Sequence, residues 1–122
     1  MVQGTGRRRE YPDTVALRSG DRYLVVRLAE IEWVEADGNY TRLHGHKRVH
    51  VMSQSLTRLE HTLLDPRLFQ RVHRSAIVNV RAVAALEPLG HGDMRLLLAG
   101  GHTVPCSRRY RSRLAQRLVF AH

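Results

Sequence analysis

The sequence predicts a mostly-β single domain with one or two short helices, and three observations carry that reading. Apolar residues recur in short runs of strand length, punctuated by glycine-containing turns. Only one internal segment repeats its apolar residues at helical spacing. The chain of 122 residues has room for one core, and a hydrophobic content of 43% is enough to fill it.

Residues 1–12 come first: GTGRRREYP shows no periodicity and ends at Pro12, so this stretch reads as a linker or disordered tail and the domain as residues 13–122. TVAL is closed by Ser19-Gly20-Asp21, and YLVVR is a compact apolar strand. IEWVEA alternates imperfectly, with Ile31 and Trp33 set against Glu32, Val34 and Ala36. Asp37-Gly38-Asn39 is a turn by chemistry, since these residues tolerate positive φ. YTRLH returns from it, Gly45-His46-Lys47 turns again, and RVHVM is another strand.

The helix lies in SLTRLEHTLL, where Leu56, Leu59 and Leu63 share one face. Ser55 or Ser53 caps its start and Asp65-Pro66 stops it. Beyond Phe69 the β rhythm resumes with VAALEPL, the loop Gly90-His91-Gly92-Asp93, MRLLL, the turn Gly100-Gly101 and HTVPC. In the tail, Tyr110, Leu114 and Leu118 recur every fourth position, the mark of a short terminal helix. Trp33, Tyr23, Met52 and Met94 read as core, and Asn79 as a polar core residue bonded to backbone. A helix-turn-helix is excluded, because it needs two adjacent helices.

Charge supplies the functional signal. Twenty Lys and Arg face eleven Asp and Glu for a formal +9, and all of the twenty but Lys47 are arginine. The arginine fork suits phosphates and the guanine edge better than an ammonium does. No acidic residue follows Asp93, whereas Arg108, Arg109, Arg111, Arg113 and Arg117 crowd the last fifteen positions. Such polarisation fits a face laid against a polyanion.

Three clusters at turns carry the side chains such a face needs: Glu35–Arg42, Phe69–Asn79 and Val104–Tyr110. Asparagine and arginine make paired bonds to adenine and guanine edges, and serine hydroxyls at turns anchor phosphates.

With these clusters in order, the chain resembles the LytTR (LytR/AlgR-like) DNA-binding family from Val15 to Phe120. AEIEWVEADGNYTRLH matches its acidic strand and Asn-Tyr tip. SLTRLEHTLLDPRLFQRVHRSAIVNV matches its short helix and F-x-R-x-H-R-S step, and VPCSRRY its closing Ser-Arg element. The tyrosine that commonly follows H-R-S in the family is Ala76 in this chain.

The resemblance implies an elongated fold of several small antiparallel sheets, with loops entering successive major grooves of double-stranded promoter DNA. Base readers would come from Asn39, Tyr40, Thr41 or Arg42, from Arg74, and from Arg108 or Arg109. Ser75 and Ser107 would hold phosphate, and His73, which also suits a structural hydrogen bond, belongs to the same step. It further implies the output domain of a response-regulator type transcription factor in a two-component system. Such a domain would act as a homodimer on repeated half-sites, with an upstream receiver or sensor domain.

Other classes are weaker. His44, His46 and His50 share parity, but Gly45 and Lys47 place a turn between them, so no metal is expected. Cys106 has no CxxC partner, and its spacing from His102 makes no nucleophile–base pair, so neither an enzyme nor a cofactor is expected. The arginine-rich N-terminus is not a secretory signal and no run reaches membrane-spanning length, which favours a cytoplasmic location. The alternatives are a basic β-domain binding RNA or single strands, which would need stacking platforms from only seven aromatics, and a protein-interaction module using the acidic strand.

Overall fold

The computed structural model describes residues 10–121. For residues 1–9 the linker expectation lies outside the described residues, and Glu10 to Pro12 form no regular element. The described elements are β1 (Thr14–Ser19), β2 (Arg22–Arg27), β3 (Ile31–Asp37), β4 (Tyr40–Gly45), β5 (Val49–Met52) and α1 (Leu56–Thr62). They continue with β6 (Phe69–His73), β7 (Ala76–Asn79), β8 (Val83–Gly90), β9 (Asp93–Leu98), β10 (Thr103–Cys106) and α2 (Arg108–Ala115). Every pairing is antiparallel, in a β1-β2 hairpin, a five-stranded sheet ordered β5-β4-β3-β7-β6 and a three-stranded sheet ordered β10-β9-β8. The mostly-β class with two short helices is therefore what the chain adopts, and five strands separate α1 from α2.

The five-stranded sheet has a core on each face. On one face Val34, Leu43 and Ile77 meet Leu56 and Leu59 of α1 and Leu63 at its C-cap, with Val26 from the β1-β2 hairpin. On the other, Trp33, Val72 and Val78 meet Leu96, Val104 and Cys106 of the three-stranded sheet and Leu114 of α2. Each buried leucine contributes roughly 2–3 kcal/mol. Double coverage explains the imperfect alternation of β3: Ile31, Glu32, Trp33 and Val34 are all buried, and the register slips between Ile31 and Trp33. Glu32 sits in that slip, and its Oε1 accepts the Gly100 N–H at 3.0 Å. A Cβ on Gly100 would lie 2.7 Å from the same oxygen, so a side chain there would displace the Glu32 carboxylate.

β6 and β7 are strands beyond those expected from the sequence. All four residues of β7 are buried because it is an interior strand, so no apolar–polar rhythm marks it. Asn79 closes it: Nδ2 donates to the carbonyls of Ala29 (3.2 Å) and Ile31 (3.0 Å), and Oδ1 accepts the Arg81 N–H at 2.9 Å. The backbone-bonding role expected of Asn79 is thus present. Two 3₁₀ turns, Leu28–Glu30 and Val80–Ala82, flank these bonds and were not foreseen.

Ser55, not Ser53, caps α1, accepting the Arg58 N–H at 3.1 Å. Asp65 ends it by accepting the Arg67 N–H at 2.8 Å, and the hydrogen-bonded Arg67 guanidinium holds the Asp65 carboxyl below its usual range. The core assignment of Tyr23 is corrected: it is 60% exposed, with Arg18 over its ring. A two-stranded hairpin covers a core with one face only, so Leu24 and Val26 turn inward while Tyr23 and Val25 face solvent. Trp33 and Met94 are core as expected, and Met52 packs partly buried against the first core. His44 stacks on Trp33 at 4.4 Å between ring centroids and bonds Glu35 Oε1 through Nε2 at 2.8 Å.

Candidate nucleic-acid interface

Antiparallel register brings the three sequence clusters to one edge of the molecule. The β3–β4 turn, Gly38-Asn39, lies at the end where β3 leaves the sheet and β7 enters it, since Glu35 pairs with Ala76. Just beyond that pair, the Ala36 N–H donates to the Ser75 carbonyl at 2.9 Å, joining the first turn to the β6–β7 turn at Arg74-Ser75. The Ser107 N–H donates to the Val72 carbonyl at 2.9 Å and joins the start of α2 to β6, two residues before Arg74. Two backbone hydrogen bonds thereby fuse segments far apart in sequence into one continuous rim.

At the first turn Gly38 carries the left-handed φ of +62°, the glycine place of a type II′ hairpin. Asn39 does not share a positive φ, so it is not there to supply one; its side chain is exposed and unpartnered among the described residues. Tyr40 is 54% exposed. Arg42 pairs with Asp37 at 2.6 Å across the hairpin, both ends open to solvent. Thr41 is a correction: it is fully buried, and its hydroxyl donates to the Met52 carbonyl at 3.4 Å. It alternates with Tyr40 and Arg42 along β4, so one of the three had to point inward.

At the second turn His73 and Ser75 bond one another. His73 Nδ1 accepts the Ser75 N–H at 3.2 Å and lies 2.9 Å from Ser75 Oγ. An Nδ1 that accepts a backbone N–H is the unprotonated nitrogen, which assigns the N–H of the neutral ring to Nε2. The loop is braced by Arg71, the first arginine of the F-x-R-x-H-R-S step, for which the sequence suggests no separate role. Its Nη1 bonds Glu60 of α1 at 2.9 Å, its Nε the His73 carbonyl at 3.0 Å, and its Nη2 the Arg74 carbonyl. Arg74 is left exposed, with no side-chain partner among the described residues.

At the third cluster Ser107 precedes α2 and its hydroxyl makes no cap bond. The Arg108 N–H is taken instead by Asp93 Oδ1 at 2.8 Å. Arg108 lies back along the β8–β9 tip, whereas Arg109 is exposed beside the Tyr110 ring, 5.7 Å from its centroid. Asp93 is the second residue missed; being the last acidic position in the chain was its only sequence signal.

A β scaffold that presents an amide, a phenol, serine hydroxyls and exposed guanidinium groups along one rim is that of a nucleic-acid-binding module. The LytTr DNA-binding domain model matches residues 21–119, and the chain belongs to that family. It is 36% identical over 108 residues to the CO-responsive transcriptional regulator RcoM of Rhodospirillum rubrum, covering 85% of this chain and 44% of the relative. It is 26% identical over 104 residues to the sensory transduction protein LytT of Bacillus subtilis, covering 85% and 43%. A solved LytTr DNA-binding domain from Bacillus cereus superposes with a TM-score of 0.79 at 30% identity, covering 89% of this chain and 99% of that one. The chain spans less than half the length of these curated relatives.

Proposed function

We propose that this chain is the output domain of a cytoplasmic bacterial transcription regulator and that it binds promoter duplex sequence-specifically, without catalysing a reaction. The observation that carries the proposal is the fused rim, on which Arg74 and Arg109 project exposed guanidinium groups, without an ion pair among the described residues, from two different segments. Their forks match the O6/N7 edge of guanine in the major groove. Asn39 suits an adenine edge, with Tyr40 and Arg42 beside it, and Ser107 and Ser75 suit phosphate oxygens. His73 enters through Ser75, which it orients.

Two copies on repeated half-sites would double this footprint. The regulators and sensory proteins among the relatives support a receiver or sensor joined to this domain in the intact regulator. The test selects a duplex from a randomised pool with the wild-type domain, then titrates it, a scrambled duplex and a single strand at several salt concentrations. Affinity for duplex should fall with a log–log slope of about 0.9 per phosphate neutralised. A flat salt response, or equal preference for the single strand, would overturn the proposal.

A further inference from the structure

We propose that the Gly90–Gly92 tip between β8 and β9 is a fourth DNA-contacting element. In it His91 donates an imidazole N–H to a backbone phosphate beside the footprint of Arg109. This rests on the duplex-binding reading of the rim and extends it to a loop that reading does not use.

The first observation is position. The tip is fastened to the start of α2 by Asp93, whose Oδ1 accepts the Arg108 N–H at 2.8 Å. The Arg108 side chain lies so close over Gly92 that a Cβ there would be 2.7 Å from Arg108 Cδ. Arg108 Nη1 lies 3.5 Å from the His91 carbonyl, the long end of a hydrogen bond. A polyanion held by Ser107 and Arg109 therefore has this tip as its neighbour, and Arg108 acts as the brace between them.

The second observation is what occupies the tip. Gly90 and Gly92 have φ of +88° and +87°, and between them His91 has φ +55°, the one non-glycine residue in the left-handed region among the described residues. A third glycine would make this turn with less strain, so the fold does not ask for a side chain there. The imidazole is exposed and has no partner among the described residues. Nearby carboxylates are engaged: Asp93 with the Arg108 N–H, and Glu87 with Arg95 at 3.1 Å. What faces outward is a hydrogen-bond donor on a narrow tip flanked by glycines, which lets backbone approach backbone. Phosphate is the acceptor such a tip meets first on a duplex.

The experiment compares wild type, His91→Gly, His91→Lys and Arg109→Ala by melting and by titration with the selected and scrambled duplexes across salt. His91→Gly should melt no lower than wild type, because glycine prefers this φ, yet bind both duplexes about three- to tenfold more weakly. His91→Lys should restore affinity and steepen the salt slope by about one. Wild-type affinity in His91→Gly, with Arg109→Ala weakened, would overturn the tip inference alone. A loss confined to the selected duplex would replace the phosphate contact with a base contact. No duplex binding by wild type, or no effect of Arg109→Ala on the selected-to-scrambled ratio, would bring down the rim reading itself.

Discussion

Three residues apart, Arg71 and Arg74 do opposite work. Arg71 is largely buried and commits its guanidinium to Glu60 and to the carbonyls of His73 and Arg74. Replacing it with methionine keeps the stem but strips partners from a carboxylate and two carbonyls, an expected loss of roughly 1–3 kcal/mol of stability. Arg74→Ala touches no internal bond, so its stability should stay within about 0.5 kcal/mol of wild type. Its cost should fall on binding, about 1–3 kcal/mol on the selected duplex, with relaxed preference at one base position. Melting each variant and titrating it with selected and scrambled duplexes separates the two roles. An unchanged selected-to-scrambled ratio for Arg74→Ala would end its assignment as a base reader. The motif F-x-R-x-H-R-S placed both arginines in one step of the sequence. Which one is free depends on Glu60, eleven residues away on another element, and no local pattern records that. Thr41 is the converse case: β alternation alone would have turned it inward from between Tyr40 and Arg42.

At the scale of elements, the strands are joined by polar tethers as much as by apolar packing. Asn79 ends β7, accepts the Arg81 N–H within the following 3₁₀ turn and holds the carbonyls on either side of Glu30. Asn79→Ala leaves two carbonyls and one N–H without these bonds, and should cost roughly 3 kcal/mol in a denaturant melt. Ser55→Ala removes a single cap bond from an exposed helix start and should cost about 1 kcal/mol. Equal costs for the two would mean that water replaces the Asn79 bonds. Elements flanked by turn signals and covered on one side, such as β1, β2, β4 and α1, were legible from periodicity and capping chemistry. The blurred rhythm of β3, and β7, which was missed, share one cause: an interior strand covered on both faces has no polar side to alternate with. The convergence of three motifs on one rim was not legible either, because it rests on the β3–β7 register and on the Ala36–Ser75 and Ser107–Val72 bonds.

At the scale of the whole molecule, one sheet carries both cores, and this should make them melt together. Val34 and Trp33 are neighbours on β3 that face opposite cores, as Ile77 and Val78 do on β7. Opening one core therefore disturbs the strands that wall the other. Cys106 reports on the second core: it is fully buried, and burial, reinforced by the Asp93 charge and opposed by Arg111, pushes its thiol above the ordinary range. Only the thiolate is nucleophilic, so alkylation should wait for unfolding. Leu59 is fully buried in the first core, on the far side of the sheet from Cys106. Leu59→Ala should cost about 3 kcal/mol through lost burial and the cavity left behind. If the sheet couples the cores, the population open at Cys106 rises by the same free energy, on the order of a hundredfold in labelling rate. The measurement is Cys106 alkylation under native conditions, in wild type and in Leu59→Ala, set beside the denaturant melt of each. A labelling rate that ignores Leu59→Ala while the melt shifts would mean that the second core opens independently. The rim would then ride on two separable units rather than one.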